Sequence, residues 1–172
     1  MMESLKKYLD RCLEFVTVTL FLVMVAVTIW QVISRYILND PSSLTEEFVR
    51  FSLIWLSMLS AAYVVGKKNH IAITLLSDRL KHDKKLILDI IIQASFLLFG
   101  AIIMVFGGYK TVAISIAQIS PSLNISMGFV YLALPVSGIL IILYSTLNIM
   151  TLLKERKESD EVHLSNLNKK SG

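Results

Sequence analysis

Arg35, Glu46, Glu47 and Arg50 form the one compact set of ionisable side chains whose spacing could do work. Glu46 and Arg50 are four apart and Glu47 and Arg50 three apart, so either pair can close along one helix. Arg35 could reach Glu46 or Glu47 from a neighbouring helix. Two readings follow. The four could form a partly buried ion-pair network that fixes one helix against another, or against a second subunit. The plainer reading is a set of exposed interfacial charges worth under about 1 kcal/mol per pair. Spacing alone favours the plainer one.

Other chemistry is thin. His70, His82 and His163 all fall outside the apolar stretches, where neither a haem nor an intramembrane metal could use them. Cys12 stands alone, so no internal disulfide forms, and no HExxH pattern offers a zinc site. Proton-driven carriers usually place a carboxylate or lysine deep in the membrane. Asp89 is the nearest candidate, but it sits by a helix start, where an acid suits the dipole without any further role. These residues make neither an active carrier nor an enzyme, and no cofactor is expected.

The elements that must position these residues are set by where charge is missing. Asp, Glu, Lys and Arg are absent from Phe15 to Ser34, Phe51 to Gly66, Ile90 to Tyr109 and Thr111 to Leu153. A charge at mid-bilayer costs a few kcal/mol even on mild scales, whereas a soluble domain scatters charge along every helix. The 172 residues are 55% hydrophobic, with a mean hydropathy of +0.66. One transmembrane helix needs about 20 mostly apolar residues. The spacing therefore predicts an all-α integral membrane protein with four transmembrane helices, over about 13–34, 44–66, 86–109 and 127–153. A single membrane domain, 1–153, and a polar tail, 154–172, disordered towards its end, use the whole chain. The N-terminal run is long for a signal peptide and ends in Trp30-Gln31-Val32-Ile33, so an uncleaved first helix is expected.

Lys and Arg number 3, 2, 6, 1 and 5 in the successive polar segments. The alternation places both termini and the middle loop in the cytoplasm. The net charge of +4 hugs the membrane ends, so nucleic acid is not an expected partner; the bilayer is. Ser43-Leu44-Thr45-Glu46 fits a capping box at the start of the second span. Residues 71–81 fit either a short interfacial helix or an ordinary polar loop. The run from Lys110 to Ser126 either continues the third span or lies along the outer interface before turning at Pro121. Gly100, Gly107 and Gly108 are packing or bending points, and Pro135 should kink the fourth span. Ser57 with Ala61 and Ala133 with Ser137 offer small faces for close helix approach. Trp55 lies deeper than an interfacial belt, which suggests packing inside this chain or against a partner.

A resemblance runs through these residues in order. Gln31-Val32-Ile33-Ser34-Arg35-Tyr36, Thr45-Glu46-Glu47 with Arg50, Trp55, Ala61-Ala62, His70-Ile71, Tyr131 and Pro135 resemble the small membrane subunit of tripartite ATP-independent periplasmic (TRAP) transporters, the DctQ family. Leu44 stands where the family often has Trp, and Ser60 where it often has Gly before the paired alanines; both departures touch packing. The resemblance covers about residues 10 to 150. It implies a multi-pass protein of the bacterial inner membrane, within a sodium-coupled importer of organic acids such as C4-dicarboxylates or sialic acids. Its implied partners are a large elevator-type membrane subunit, which would carry the sodium and substrate sites, and a periplasmic substrate-binding protein. Arg35, Glu46, Glu47 and Arg50, with Trp55 and His70 behind them, would serve assembly or docking. Two rivals stand beside it: a small homo-oligomeric carrier or channel, and a membrane anchor of a redox or signalling complex.

Overall fold

In the computed structural model the backbone is described for residues 2–67 and 82–170, and side chains for 6–67, 87–154 and 156. The first helix, α1, runs Met2–Tyr36 and ends at the interfacial Arg35-Tyr36 pair. At 35 residues it is roughly 50 Å long, well beyond the ~30 Å hydrocarbon core. Its first turns therefore project past the membrane. Asn39, with φ of 53°, reverses the chain, and Ser34 Oγ donates to the carbonyl of Asp40 to close the turn. Helix α2 follows as Ser43–Gly66.

The expected capping box does not form. Ser42 is the N-cap, and its side chain makes no capping bond. Thr45 Oγ1 instead donates to the Ser42 carbonyl at 2.8 Å. Glu46 is drawn away from the helix start by Arg35, so it cannot reach back to an amide.

Helix α3 runs His82–Phe99 and passes without interruption into a π-helical segment, Gly100–Gly107, and then α4, Gly108–Ser115. The third span thus continues through Ser115. Of the two readings of the run after Lys110, continuation holds to that point. The chain then makes a tight tongue, bridged at Ile119 and Ser126. Helix α5 (Met127–Tyr131) and helix α6 (Ala133–Lys170) complete the fourth span. The break falls at Leu132 because the Pro135 ring cannot tolerate the carbonyl four residues back, on Tyr131. Helix α6 carries on into the charged tail as far as Lys170.

Four stretches are long and apolar enough to cross a membrane: Lys6–Tyr36, Ser43–Gly66, Ile87–Ser115 and Met127–Lys154. They pack in an open row. Helix α2 lies between α1 and α6, while the third span packs on the other side of α6. Helix α1 reaches α6 only near its own start, where Leu13 joins Leu59 and Tyr144. The main cluster joins Ala62 and Val65 of α2, Met104 of the π segment and Ile141 of α6.

Helix α6 is the spine of this row, and its seams are narrow. A Cβ added to Gly66 would stand 2.6 Å from the ring of Tyr144, and one on Gly138 would stand 2.7 Å from Met104 Cβ. Small residues allow such approach in lipid, where no hydrophobic force draws helices together. Ala133 and Ser137 are both fully buried, so that small pair is used. Ser57 and Ala61 are exposed and make no seam within this chain.

Candidate functional site

The end of the row carrying the α1–α2 turn brings that hairpin together with a segment 73 residues beyond Glu47. Helix α1 supplies Arg35, the first turns of α2 supply Glu46, Glu47 and Arg50, and the tongue supplies Ser120, Ser122 and Leu123. Neighbouring acids go to opposite fates. Glu46 faces α1, where its Oε1 accepts from Arg35 Nη2 at 2.6 Å. The two side chains are 35% and 50% exposed, so this is an interfacial pair. Glu47 is buried and turns towards the tongue. Its Oε2 accepts from the Ser120 hydroxyl and from the amides of Ser122, at 3.2 Å, and Leu123, at 3.0 Å.

One carboxylate oxygen thereby holds the tip of the connection between the third and fourth spans. The tongue is also tied internally. Ser120 N–H donates to the Ile125 carbonyl at 2.9 Å, Met127 N–H to the Gln118 carbonyl at 2.8 Å, and Ser126 Oγ to the Ile116 carbonyl at 2.6 Å. Ser126 also caps α5 by accepting from the Gly128 amide. Backbone amides converging on an anion bind strongly because the acceptor is charged. Here that anion is the chain's own side chain.

Arg50 is exposed and acts on Glu47 through its charge alone; it pairs with neither acid. The helical pairs that spacing offered, Glu46 with Arg50 and Glu47 with Arg50, are therefore not made. Glu47 also does not meet Arg35. Each acid found a partner off its own helix, which the four-residue rule cannot see. Trp55 is half-buried, packs against the cluster of Leu13, Leu59 and Tyr144, and lines an apolar groove of about 570 Å³ between α1, α2 and the tongue. His70 lies outside the described residues, as does the segment 71–81.

Sequence reasoning missed Ser120, Ser122 and Leu123. A signal existed on the α2 side. Glu47 shares a helix face with Val65 and lies on the flank of the buried stripe Ser52, Leu59 and Ala62, whereas Glu46 lies opposite. Nothing in the tongue marks it as the partner. At the opposite end a second polar set ties α1 to the spine. Tyr144 OH donates to Asp10 Oδ1 at 2.8 Å, Lys6 Nζ to Asn148 Oδ1 at 2.7 Å, and Asn148 Nδ2 to the Val65 carbonyl at 3.2 Å.

The exposed pair gives a modest prediction. Arg35→Ala should cost under about 1 kcal/mol, and the loss should shrink as salt rises. Thermal unfolding at low and high salt checks it, and the charge swap Arg35→Glu with Glu46→Arg should restore the small difference.

Residues 24–155, most of the chain, match the family model described as the DctQ component of tripartite ATP-independent periplasmic transporters. The sialic acid TRAP transporter small permease protein SiaQ of Vibrio cholerae serotype O1 is 29% identical over 154 residues, covering 89% of this chain and 88% of the relative. A putative TRAP transporter small permease protein of Haemophilus influenzae is 26% identical over 141 residues, covering 82% and 87%. The sialic acid TRAP transporter permease protein SiaT of Haemophilus influenzae is 26% identical over 135 residues, which are 78% of this chain but 22% of that longer protein. The family is one of transporter permease subunits, not of enzymes. With four spans, an apolar surface and a match along most of its length, the chain belongs to the DctQ family and is a multi-pass small permease subunit of a TRAP transporter.

Proposed function

We propose that this subunit braces the transporter and does not carry cargo. It packs against a large elevator subunit that holds the sodium and substrate sites, and it widens the static frame against which that subunit moves. The observation that carries this reading is the state of Glu47. It is the one buried carboxylate among the described residues, and the tongue's three donors claim one of its oxygens. An acid used this way fixes a surface; it is not poised to take up an ion.

The proposed setting is the bacterial inner membrane with both termini cytoplasmic, as the Lys and Arg alternation supports. The end bearing Glu47 and the tongue then faces the periplasm. There the exposed Arg35–Glu46 pair, Arg50 and the pinned tongue offer a firm, polar surface for a periplasmic substrate-binding protein. Trp55, in the apolar groove beside α1, and His70 complete the proposed set of assembly or docking residues. The cargo class is an organic acid. Relatives named for sialic acid favour that class over C4-dicarboxylates. The SiaT match, in which a segment of this size belongs to a longer permease, supports a large membrane partner. No cofactor is assigned to this chain, and the coupling sodium ions belong to the partner.

Reconstitution by omission tests the proposal. Sodium-driven uptake of labelled sialic acid should require this chain, the large permease and the binding protein together in liposomes. Unchanged uptake when this chain is omitted refutes the bracing role.

A further inference from the structure

The third and fourth spans are both interrupted, and at nearly the same level. The third passes through the π segment, which gives way to α4 at Gly108. The fourth breaks at Leu132, between α5 and α6. Gly108 lies across from that break, since a Cβ added to it would stand 2.9 Å from Pro135 Cδ and 3.1 Å from Leu134 Cβ. Prolines, glycines and π turns are where helices bend. Pro135 has no amide to offer the Tyr131 carbonyl, so that turn of the fourth span lacks one bond. Gly107 is not required by packing, because a Cβ there meets nothing nearer than 3.8 Å. A glycine inside a helix costs about 1 kcal/mol against alanine, and no close approach offsets it here.

Between the two interruptions lie α4, the tongue and α5, and these parts hold one another. The tongue is closed by its own bonds, Ser120 N–H to the Ile125 carbonyl and Met127 N–H to the Gln118 carbonyl. A Cβ on Gly128 of α5 would stand 3.1 Å from Ile116 Cα, at the end of α4. Helix α4 packs more on α5 than on α6. Glu47 ties this unit to α2 through Ser120, Ser122 and Leu123.

We propose that residues 108–132 form a cap that rocks as one body about the two interruptions, with Glu47 as its catch. Hinges are commonly a few residues at element ends that absorb backbone rotation. The cap has something to open. Leu123 and Ile125 of the tongue close one end of the apolar groove whose other walls are α1 and α2. With the Glu47 bonds made, the cap is shut over that end. With them broken, it tilts away as a unit and the groove opens. The motion belongs to this chain alone, so its test does not depend on the bracing role.

The full chain in lipid nanodiscs, with Cys12→Ser removing the native thiol, carries spin labels on introduced cysteines. One pair, Tyr36→Cys with Ile119→Cys, runs from α1 to the tongue. The other, Ile114→Cys with Phe129→Cys, lies within the cap. All four native side chains are exposed. With Glu47 intact the first pair should give a single narrow distance. Glu47→Ala should add a second, longer distance to that pair and leave the pair within the cap unchanged. Ser120→Ala, which removes one donor and keeps the acid, should add a smaller share of the longer distance. Combining Gly107→Ala with Glu47→Ala should reduce that share, because alanine stiffens the hinge. A first pair that stays narrow in Glu47→Ala and Ser120→Ala overturns the proposal, as does a longer population indifferent to Gly107→Ala. Broadening of the pair within the cap also overturns it, since the unit would then melt and not rock.

Discussion

Glu47→Ala should release the tongue and lower the melting temperature of the purified protein by roughly 5–10 °C, whereas Glu46→Ala should shift it by far less. The asymmetry follows from what each acid leaves behind. Removing Glu46 returns an exposed arginine to water. Removing Glu47 strips the acceptor from the buried Ser120 hydroxyl and from the half-buried amides of Ser122 and Leu123. Orphaned buried donors are the expensive outcome of a lost hydrogen bond. Glu47→Gln keeps one acceptor oxygen but loses its charge, so it should fall between the two. Hydrogen exchange at residues 120–127 reads the local effect. Faster exchange in Glu47→Ala, with Glu46→Ala unchanged, is the expected pattern. In reconstituted transporter the same variant should depress uptake if the pinned tongue serves the proposed docking of the binding protein.

The second large effect lies in the spine. Gly138→Val should destabilise the chain by about 3 kcal/mol or more, at the upper end of overpacking costs. The new side chain would meet Met104 Cβ at 2.7 Å and Val105 Cγ2 at 3.0 Å, both on the π segment. Neither contact is the far end of a flexible chain, so a helix must move. Gly107→Ala provides the contrast. A Cβ there meets nothing nearer than 3.8 Å, and alanine favours helix over glycine by about 1 kcal/mol. It should therefore hold or gain stability. Folded yield and thermal unfolding in detergent distinguish the pair.

What could be read from the residues was set by what lipid forbids. The charge-free runs located four spans, and Pro135 announced a break that falls at Leu132. The boundaries shifted where charge does not stop a helix. Lys6, Lys7 and Arg11 are good helix formers, so α1 begins before the membrane, and α6 runs on through Lys154 for the same reason. The order of helices in the row was not legible. In a bilayer the lipid-facing and buried faces are equally apolar, so α1, α3 and α6 carry little amphipathic signal. The candidate site was half legible. Arg35 and Glu46 were singled out and do pair, but Arg50 takes no part in the bonds that form. Ser120 and the tongue amides, 73 to 76 residues from Glu47, carry no local mark of the contact.

The role proposed for this subunit is to hold a frame and carry nothing. Equilibrium binding to the purified chain alone in nanodiscs tests that most directly, using radiolabelled sodium and labelled sialic acid. The expected result is retention no greater than by empty nanodiscs, with stoichiometric binding appearing once the large permease is present. Saturable binding of either solute to the chain alone would contradict it.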